Sequence, residues 1–180
     1  MSMGNSWSYV STDKYKSTNK LIHLLCDIVA KGGNFLLNVG PDADGNLPDT
    51  ALLRMKEIGE WMKVNGEAIY GTHPVYPYAY GKFRFTQKGN KVYAIFLLDE
   101  QESPVPDTYW FEIPDTILWN TKVSDLSPKP GKVRVLGSKK KATLRKDADG
   151  RYRIDFPNHF EMPHAVVFEM KTYPVIPPRY

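Results

Sequence analysis

The spacing of apolar residues gives the first part of the chain a helical pattern. Apolar residues recur every three or four positions over residues 21–29, and Ser17 stands where it can cap the helix. Gly32 ends this predicted helix. A second predicted helix starts near Pro48 and ends at Asn65-Gly66, where the glycine suits a left-handed C-terminal cap. Its expected buried residues are Leu52, Leu53, Ile58, Trp61 and Met62.

Between the two helices, the apolar run Phe35–Val39 predicts a strand. It is too short for a spanning helix, it lies between two pairs of turn residues, and its uninterrupted apolar character is typical of a strand buried on both faces. Helix, strand and helix over residues 14–65 would form one unit of an α/β layer. Such a unit leaves apolar faces in water unless the remainder of a barrel, or another chain, covers it.

The later part of the chain changes to short alternating runs. Prolines and glycines over residues 74–81 interrupt both patterns, so we expect a boundary there, between an α/β part (residues 1–72) and an antiparallel β-sandwich (residues 73–180). Hairpin turns are predicted at residues 88–90 and 147–150. The expected strands are Lys82–Thr86, Val92–Leu98, Tyr109–Ile113, Val133–Leu136, Thr143–Arg145, Tyr152–Phe156 and Ala165–Met170.

Composition favours a folded chain without disulfides. Apolar residues make up 42% and charged residues 24% of the 180 residues. The single cysteine, Cys26, excludes an internal disulfide and stands among apolar residues, so we expect a buried, inert thiol. No run approaches the roughly 20 apolar residues that a membrane helix needs, and the first residues lack the pattern of a signal peptide.

The charges do not indicate a nucleic-acid or metal site. The net charge is +4, but the run Lys139–Lys141 precedes an alternating strand and is explained by a solvated hairpin. The histidines, His23, His73, His159 and His164, show no paired spacing for a metal. The turn Asp42–Asn46 has alternate carboxylates but no glutamate in the place where a calcium loop needs one. We therefore expect neither a nucleic-acid site nor a metal site.

Three short motifs resemble a known enzyme family. Lys31–Pro41 (KGGNFLLNVGP) and Asn65–Tyr70 (NGEAIY) resemble the segments that close the barrel of the family 29 glycoside hydrolases, the α-L-fucosidases. Ser6–Tyr9 (SWSY) resembles that family's Ser-Trp-Gly-Tyr stretch. The motifs lie within residues 6–71, and the β-rich tail matches the family's C-terminal sandwich in kind.

The resemblance implies a fold class and an activity. The fold would be an α/β segment, the last part of a (β/α) barrel, followed by an all-β antiparallel sandwich. The activity would be retaining hydrolysis of terminal α-linked L-fucose from a glycan or glycoconjugate, without a cofactor or metal. The setting would be secreted, periplasmic or lysosomal. Retaining hydrolysis needs two carboxyl groups about 5 to 5.5 Å apart. The family's aspartate nucleophile lies on an earlier barrel strand, so we expect this chain alone to be inactive.

The same resemblance suggests candidate site residues. Asp13 follows the SWSY stretch at the interval where some family members carry an acid/base glutamate; its alternative role is to favour the N-terminal end of the first helix. Trp7 and Tyr9 could line a sugar site. Phe35 matches the position that closes around the fucose methyl group, or it is plain core. Asn38 would support the site from the end of the predicted strand.

A second function class stays open at this point. The β region could be a noncatalytic carbohydrate-binding or interaction sandwich, with the N-terminal segment as a docking element. Fucose binding without hydrolysis, lost when exposed aromatic residues of the sandwich are changed, would favour this alternative.

Overall fold

The computed structural model describes residues 1–100, 107–111, 117–118, 121–122, 128–157 and 162–171. Helix α1 spans Thr18–Ala30 and helix α2 spans Asp49–Asn65, followed by a 3-10 turn over Gly66–Ala68. The strands are β1 His73–Tyr80, β2 Phe83–Lys88, β3 Lys91–Leu97, β4 Thr108–Phe111, β5 Ile117–Leu118, β6 Thr121–Lys122, β7 Gly131–Val135, β8 Lys141–Lys146, β9 Tyr152–Asp155 and β10 Ala165–Lys171. His159 and the end of the predicted strand at residues 112–113 lie outside the described residues.

Eight of these strands form one antiparallel sheet in the order β1-β2-β3-β10-β7-β8-β9-β4, and β5 pairs with β6 in a separate two-stranded sheet. The predicted change from helices to antiparallel strands is confirmed. The structure differs from a two-sheet sandwich because continuous hydrogen bonding joins the eight strands into a single sheet.

The sheet is curled, so that its two ends face each other. Tyr109 of β4 stands at one end of the strand order, yet its ring centroid lies 5.7 Å from that of Phe83 in β2 and 4.7 Å from that of Phe96 in β3. The concave face therefore encloses one core. Its largest fully buried side chains include Phe83, Phe85, Phe96, Phe168, Leu144 and Ile154.

The convex face of the central strands packs against the helices. Tyr93 and Ile95 of β3 point to the side opposite Phe96 and join a second core with Cys26 of α1 and Trp61 of α2. The Trp61 indole donates a hydrogen bond to the Ala165 carbonyl of β10 at 3.0 Å. The helices and the sheet therefore share one apolar interface.

Helix α1 forms as the spacing predicts. The Ser17 hydroxyl accepts from the Lys20 amide at 3.2 Å, and Gly32 adopts a positive φ of 80° just beyond the helix. Cys26 is fully buried, as expected, and burial raises the pKa of its thiol, which disfavours the reactive thiolate. Within the described residues, neither helix has the length and apolar character needed to cross a bilayer.

Helix α2 differs from its prediction in two respects. Leu52 and Leu53, expected in the core, are each 48% exposed, whereas Trp61 is buried as expected. Gly66 is not a left-handed cap: its φ is −58°, because the chain continues directly into the 3-10 turn. Leu52 and Leu53 belong to the apolar face of α2, and the sheet contacts only part of that face. Another part of the protein, or another chain, would have to cover the remainder.

The predicted strand Phe35–Val39 does not form as a regular strand. It makes an isolated parallel bridge, between Asn38 and Ser2, and Leu36 is 75% exposed. The physical reason is that a strand needs neighbours along its length, and here a short N-terminal stretch supplies one pairing.

Strand β1 occupies the region expected to be a boundary. His73 and Pro74 pair with Gln87 and Thr86, and the register shifts before Ala79. A proline is tolerated here because β1 is an edge strand with an irregular register, so the missing amide proton interrupts no inner ladder.

Candidate functional site

Residues 1–3 lie against the motif segment through a short parallel pairing. The backbone amide of Asn38 donates to the Met1 carbonyl at 2.9 Å, and the Met3 amide donates to the Asn38 carbonyl at 2.8 Å. The Lys16 ammonium group donates to two carbonyl oxygens of the same N-terminal stretch, at 2.9 and 2.8 Å. These bonds bring the SWSY stretch beside the KGGNFLLNVGP segment.

Trp7 lies on this stretch and is 66% exposed. The backbone on both sides of it is hydrogen-bonded. The Ser6 amide donates to the Asp13 carboxylate at 3.0 Å, and the Ser2 hydroxyl donates to the Ser6 carbonyl at 2.5 Å. The side-chain amide of Asn38 donates to the Trp7 carbonyl at 2.7 Å. The chain is thus held on both sides of Trp7 while the ring stays accessible.

Gly40 allows the motif segment to approach the backbone at Ser8 and Tyr9. A Cβ added at Gly40 would lie 2.5 Å from the Tyr9 nitrogen and 2.7 Å from the Ser8 carbonyl carbon. Both are backbone atoms that cannot turn aside, so this approach requires glycine. Tyr9 is 42% exposed. The structure therefore brings Trp7, Tyr9 and Asn38 into one region.

Asp13 stands behind the same loop as an acceptor of backbone hydrogen bonds. Its carboxylate accepts from the amides of Asn5 at 3.1 Å, Ser6 at 3.0 Å and Lys14 at 2.8 Å. The Ser6 amide is the main cause of a pKa below the ordinary value of 3.8, and the other two amides and the Lys16 charge act in the same direction against partial desolvation.

This environment favours a structural role for Asp13. A general acid at neutral pH needs a raised pKa, as burial in an apolar pocket provides, and the contacts of Asp13 act the other way. The acid/base role stays a prediction. The alternative role, in which Asp13 favours the N-terminal end of α1, also differs from what is observed. The carboxylate accepts hydrogen bonds from the loop amides of Asn5 and Ser6, which precede α1.

Phe35 faces a different side from Asn38. It is partly buried against a small cluster that includes Met3, Leu21 and Ala51, together with Leu37 and Val39 from alternate positions of the same segment. Leu36, between them, is exposed. This packing supports the core interpretation of Phe35, and its contact with a fucose methyl group stays a prediction.

Lys16 and Gly40 were missed by the sequence reasoning. Nothing in the local pattern distinguishes Lys16 from other surface lysines, since the carbonyls it binds come from residues more than ten positions away. A glycine before a proline, as at Gly40, suggests a turn. In the structure, Gly40 instead allows two backbone segments to approach each other closely.

Glu67, in the motif Asn65–Tyr70, connects the end of α2 to the sheet. Its carboxylate accepts from the Tyr93 hydroxyl at 2.7 Å, Lys91 at 3.2 Å and Arg134 at 2.5 Å. The bond from Tyr93 is the largest of the effects that lower the pKa of Glu67 to about 2, against the opposing effect of burial. These contacts give Glu67 a structural role, because they join the end of α2 to strands β3 and β7.

A groove of about 650 Å³ lies away from these residues, between the N-terminal end of α1, α2 and two loops. The Thr18 hydroxyl donates to the Glu57 carboxylate there, and the Ser17 hydroxyl donates to the Glu100 carboxylate. His164 lines it with a positive φ of 69°, and burial lowers the pKa of its ring. In the part of the chain that the structure describes, no group of three or more histidine, cysteine or acidic side chains could hold a metal ion.

Comparison with known proteins places this geometry in context. A sequence profile described as Alpha-L-fucosidase matches residues 1–67. The chain is 34% identical over 128 residues to the human plasma alpha-L-fucosidase, covering 66% of this chain and 26% of that protein. The resemblance to the α-L-fucosidases is confirmed. The fucosidase-like segment, residues 1–67, carries α1, the KGGNFLLNVGP motif and α2.

Two further relatives extend the comparison. The Alpha-L-fucosidase of Dictyostelium discoideum is 47% identical over 66 residues, which are 37% of this chain and 14% of that protein. The crystal structure of the Thermotoga maritima alpha-fucosidase in complex with fucose matches with a TM-score of 0.77 and 29% identity, over 94% of this chain and 38% of that one. The structural match therefore includes the curled sheet, and the chain spans well under half of each relative's length.

Proposed function

We propose that residues 1–72 are the last part of the catalytic barrel of a retaining α-L-fucosidase, and that residues 73–180 are its C-terminal β domain. The observation that carries the proposal is the uncovered state of the motif segment: Phe35–Val39 has one bridge, and Leu36 is 75% exposed. A barrel strand would have two neighbours and an inner face packed by other strands. That is the environment in which this apolar run would be fully paired.

In this proposal the nucleophile comes from a part of the barrel outside these 180 residues. The substrate is a glycan or glycoconjugate ending in α-linked L-fucose, and neither a metal nor a cofactor takes part. The site would form where Trp7, Tyr9 and Asn38 meet the missing strands. The setting would be secreted, periplasmic or lysosomal, and the name of one relative, plasma alpha-L-fucosidase, supports a secreted one.

A chimera tests the proposal with a positive outcome. The stretch of the Thermotoga maritima alpha-fucosidase that matches this chain would be replaced by residues 1–180, and hydrolysis of an aryl α-L-fucoside would be measured. We expect activity, with α-L-fucose as the first product seen by NMR, because retention follows from two displacements. A folded chimera without activity would contradict the proposal, and β-L-fucose as the first product would contradict the retaining mechanism.

The chain itself provides the complementary measurement. We expect purified residues 1–180 to give no hydrolysis of the same substrate, because one member of the carboxyl pair is missing. The Asp13→Ala variant is purified in parallel to identify a contaminating fucosidase. Activity that is present in the native sequence and lost in the variant would overturn the idea of an absent nucleophile.

A further inference from the structure

The contacts around Trp7 form a connected set that the proposed reaction does not explain. Asp13 accepts the amides of Asn5 and Ser6, which directly precede Trp7, and Asn38 binds the Trp7 carbonyl. An exposed tryptophan on an otherwise mobile loop would lose conformational entropy on binding a ligand. A loop that is already held does not incur that loss.

We propose that Asp13 is a positioning residue: with Asn38 it fixes the backbone on both sides of Trp7, so that the exposed indole forms a preorganised stacking surface for a sugar ring. This inference deepens the proposed function and rests on it for the identity of the sugar. It assigns Asp13 no proton transfer. The apolar face of an indole suits the C–H face of a pyranose, and its exposed ring is large enough to cover one.

The geometry at Gly4 supports a fixed placement of the carboxylate. A Cβ added at Gly4 would overlap an oxygen of Asp13, so the carboxylate lies directly against the backbone of the loop that it holds. Each carboxylate oxygen accepts at least one amide, Oδ2 from Ser6 and Oδ1 from Asn5 and Lys14. Hydrogen bonds from amides to a charged carboxylate are stronger than those between neutral groups. The negative charge of Asp13 therefore helps to hold the loop in place.

The test follows Trp7 directly in the 180-residue chain. The chain is labelled with 5-fluorotryptophan, and the four fluorine signals, one for each tryptophan, are assigned by single tryptophan-to-phenylalanine substitutions. We expect Asp13→Ala to move the Trp7 signal towards its position in unfolded chain and to broaden it. The signal of buried Trp61 should stay in place. A matched control is Asp42→Ala, which removes a carboxylate that accepts two loop amides in a different turn.

A pH titration separates positioning through the charge from a general structural effect. In the native sequence, the Trp7 signal should hold its place on acidification and shift only below the ordinary aspartate range, where Asp13 takes up a proton. In Asp13→Asn that step should be absent. An unmoved Trp7 signal in Asp13→Ala would overturn the proposal, as would equal changes at Trp7 and Trp61, because the variant would then disturb the whole fold.

Sugar stacking has its own readout. Methyl α-L-fucoside is titrated into the labelled chain, and we expect a saturable shift at Trp7 that is weakened several-fold in Asp13→Ala and unchanged in Asp42→Ala. A shift at Trp110 instead, which is 49% exposed on the sheet, would overturn the assignment of the surface to Trp7. The measurement on Trp7 without sugar does not depend on fucosidase activity, so failure of the chimera and failure of this inference remain distinguishable.

Discussion

Strand β3 and the segment Phe35–Val39 are similar apolar runs with different fates. β3 lies between β2 and β10, with Phe96 buried on one face and Ile95 buried on the other. The segment Phe35–Val39 has one bridge and one bare face, at Leu36. An apolar run of this kind forms a regular strand only where neighbouring strands pair with it and other side chains cover both of its faces. In this chain the sheet and the helices provide both for β3.

The largest difference in stability between the sheet and the N-terminal region is expected when one tryptophan in each is replaced. Trp61→Ala removes a side chain that is 3% exposed and loses the hydrogen bond to Ala165, so we expect a loss of about 3–5 kcal/mol in the free energy of unfolding. Trp7→Ala removes an exposed ring and should change it by less than about 0.5 kcal/mol. Urea denaturation measures both. Equal losses would mean that Trp7 is packed in solution and that the N-terminal region is covered.

A smaller effect is expected at Glu67, which joins the helical region to the sheet. Its folded pKa of about 2 lies below the ordinary 4.5, so its contribution is fully present above pH 4.5 and is lost as the pH falls towards 2. Because its side chain is 38% exposed, solvent screening reduces this contribution to about 1 kcal/mol.

The Glu67→Gln variant should therefore be less stable than the native chain at pH 7 and approach it near pH 2–3. Denaturant titrations at a series of pH values measure the difference, with exposed Glu60→Gln of α2 as the control. A Glu67→Gln loss that stays constant with pH would show that hydrogen bonding without charge accounts for the network.

The smallest effect is expected at Leu36. Leu36→Lys should change the free energy of unfolding by less than about 0.5 kcal/mol and should reduce self-association of the chain, because an exposed apolar side chain becomes charged. Buried Leu97→Lys is the contrasting variant and should unfold much of the sheet. Unfolding curves and analytical ultracentrifugation report the two quantities. A strong loss in Leu36→Lys would mean that copies of the chain already cover this face.

The sequence predicted most of the elements whose signals are local. Ser17 and Gly32 delimit α1, and the hairpin turns at residues 88–90 and 147–150 separate strands of the sheet as expected. The resemblance found the motif that Glu67 belongs to, and hydrogen bonding explains that residue physically.

What the sequence could not supply depends on contacts distant along the chain. Pro74 and Pro77 were expected to interrupt the strand pattern, but β1 runs through both of them because it is an edge strand, and edge position is a property of the whole sheet. Leu36 and Leu52 stand in apolar patterns that predict burial, yet both side chains are exposed because no other element of the described chain packs on them. Asp13 accepts hydrogen bonds from the backbone amides of Asn5 and Ser6. Every residue except proline carries such an amide, so the sequence does not show which ones Asp13 contacts.

The place of β10 in the sheet has a consequence for how the chain acquires its structure. β10 is the last described strand in sequence, yet it lies in the middle, paired with β3 on one side and β7 on the other. Its pairs with β3 join residues more than 65 positions apart, as in Ala165 with Leu97. Such distant pairing makes folding slow. During synthesis, one edge of β3 would stay unpaired until β10 has left the ribosome, and an unpaired strand edge is prone to aggregation.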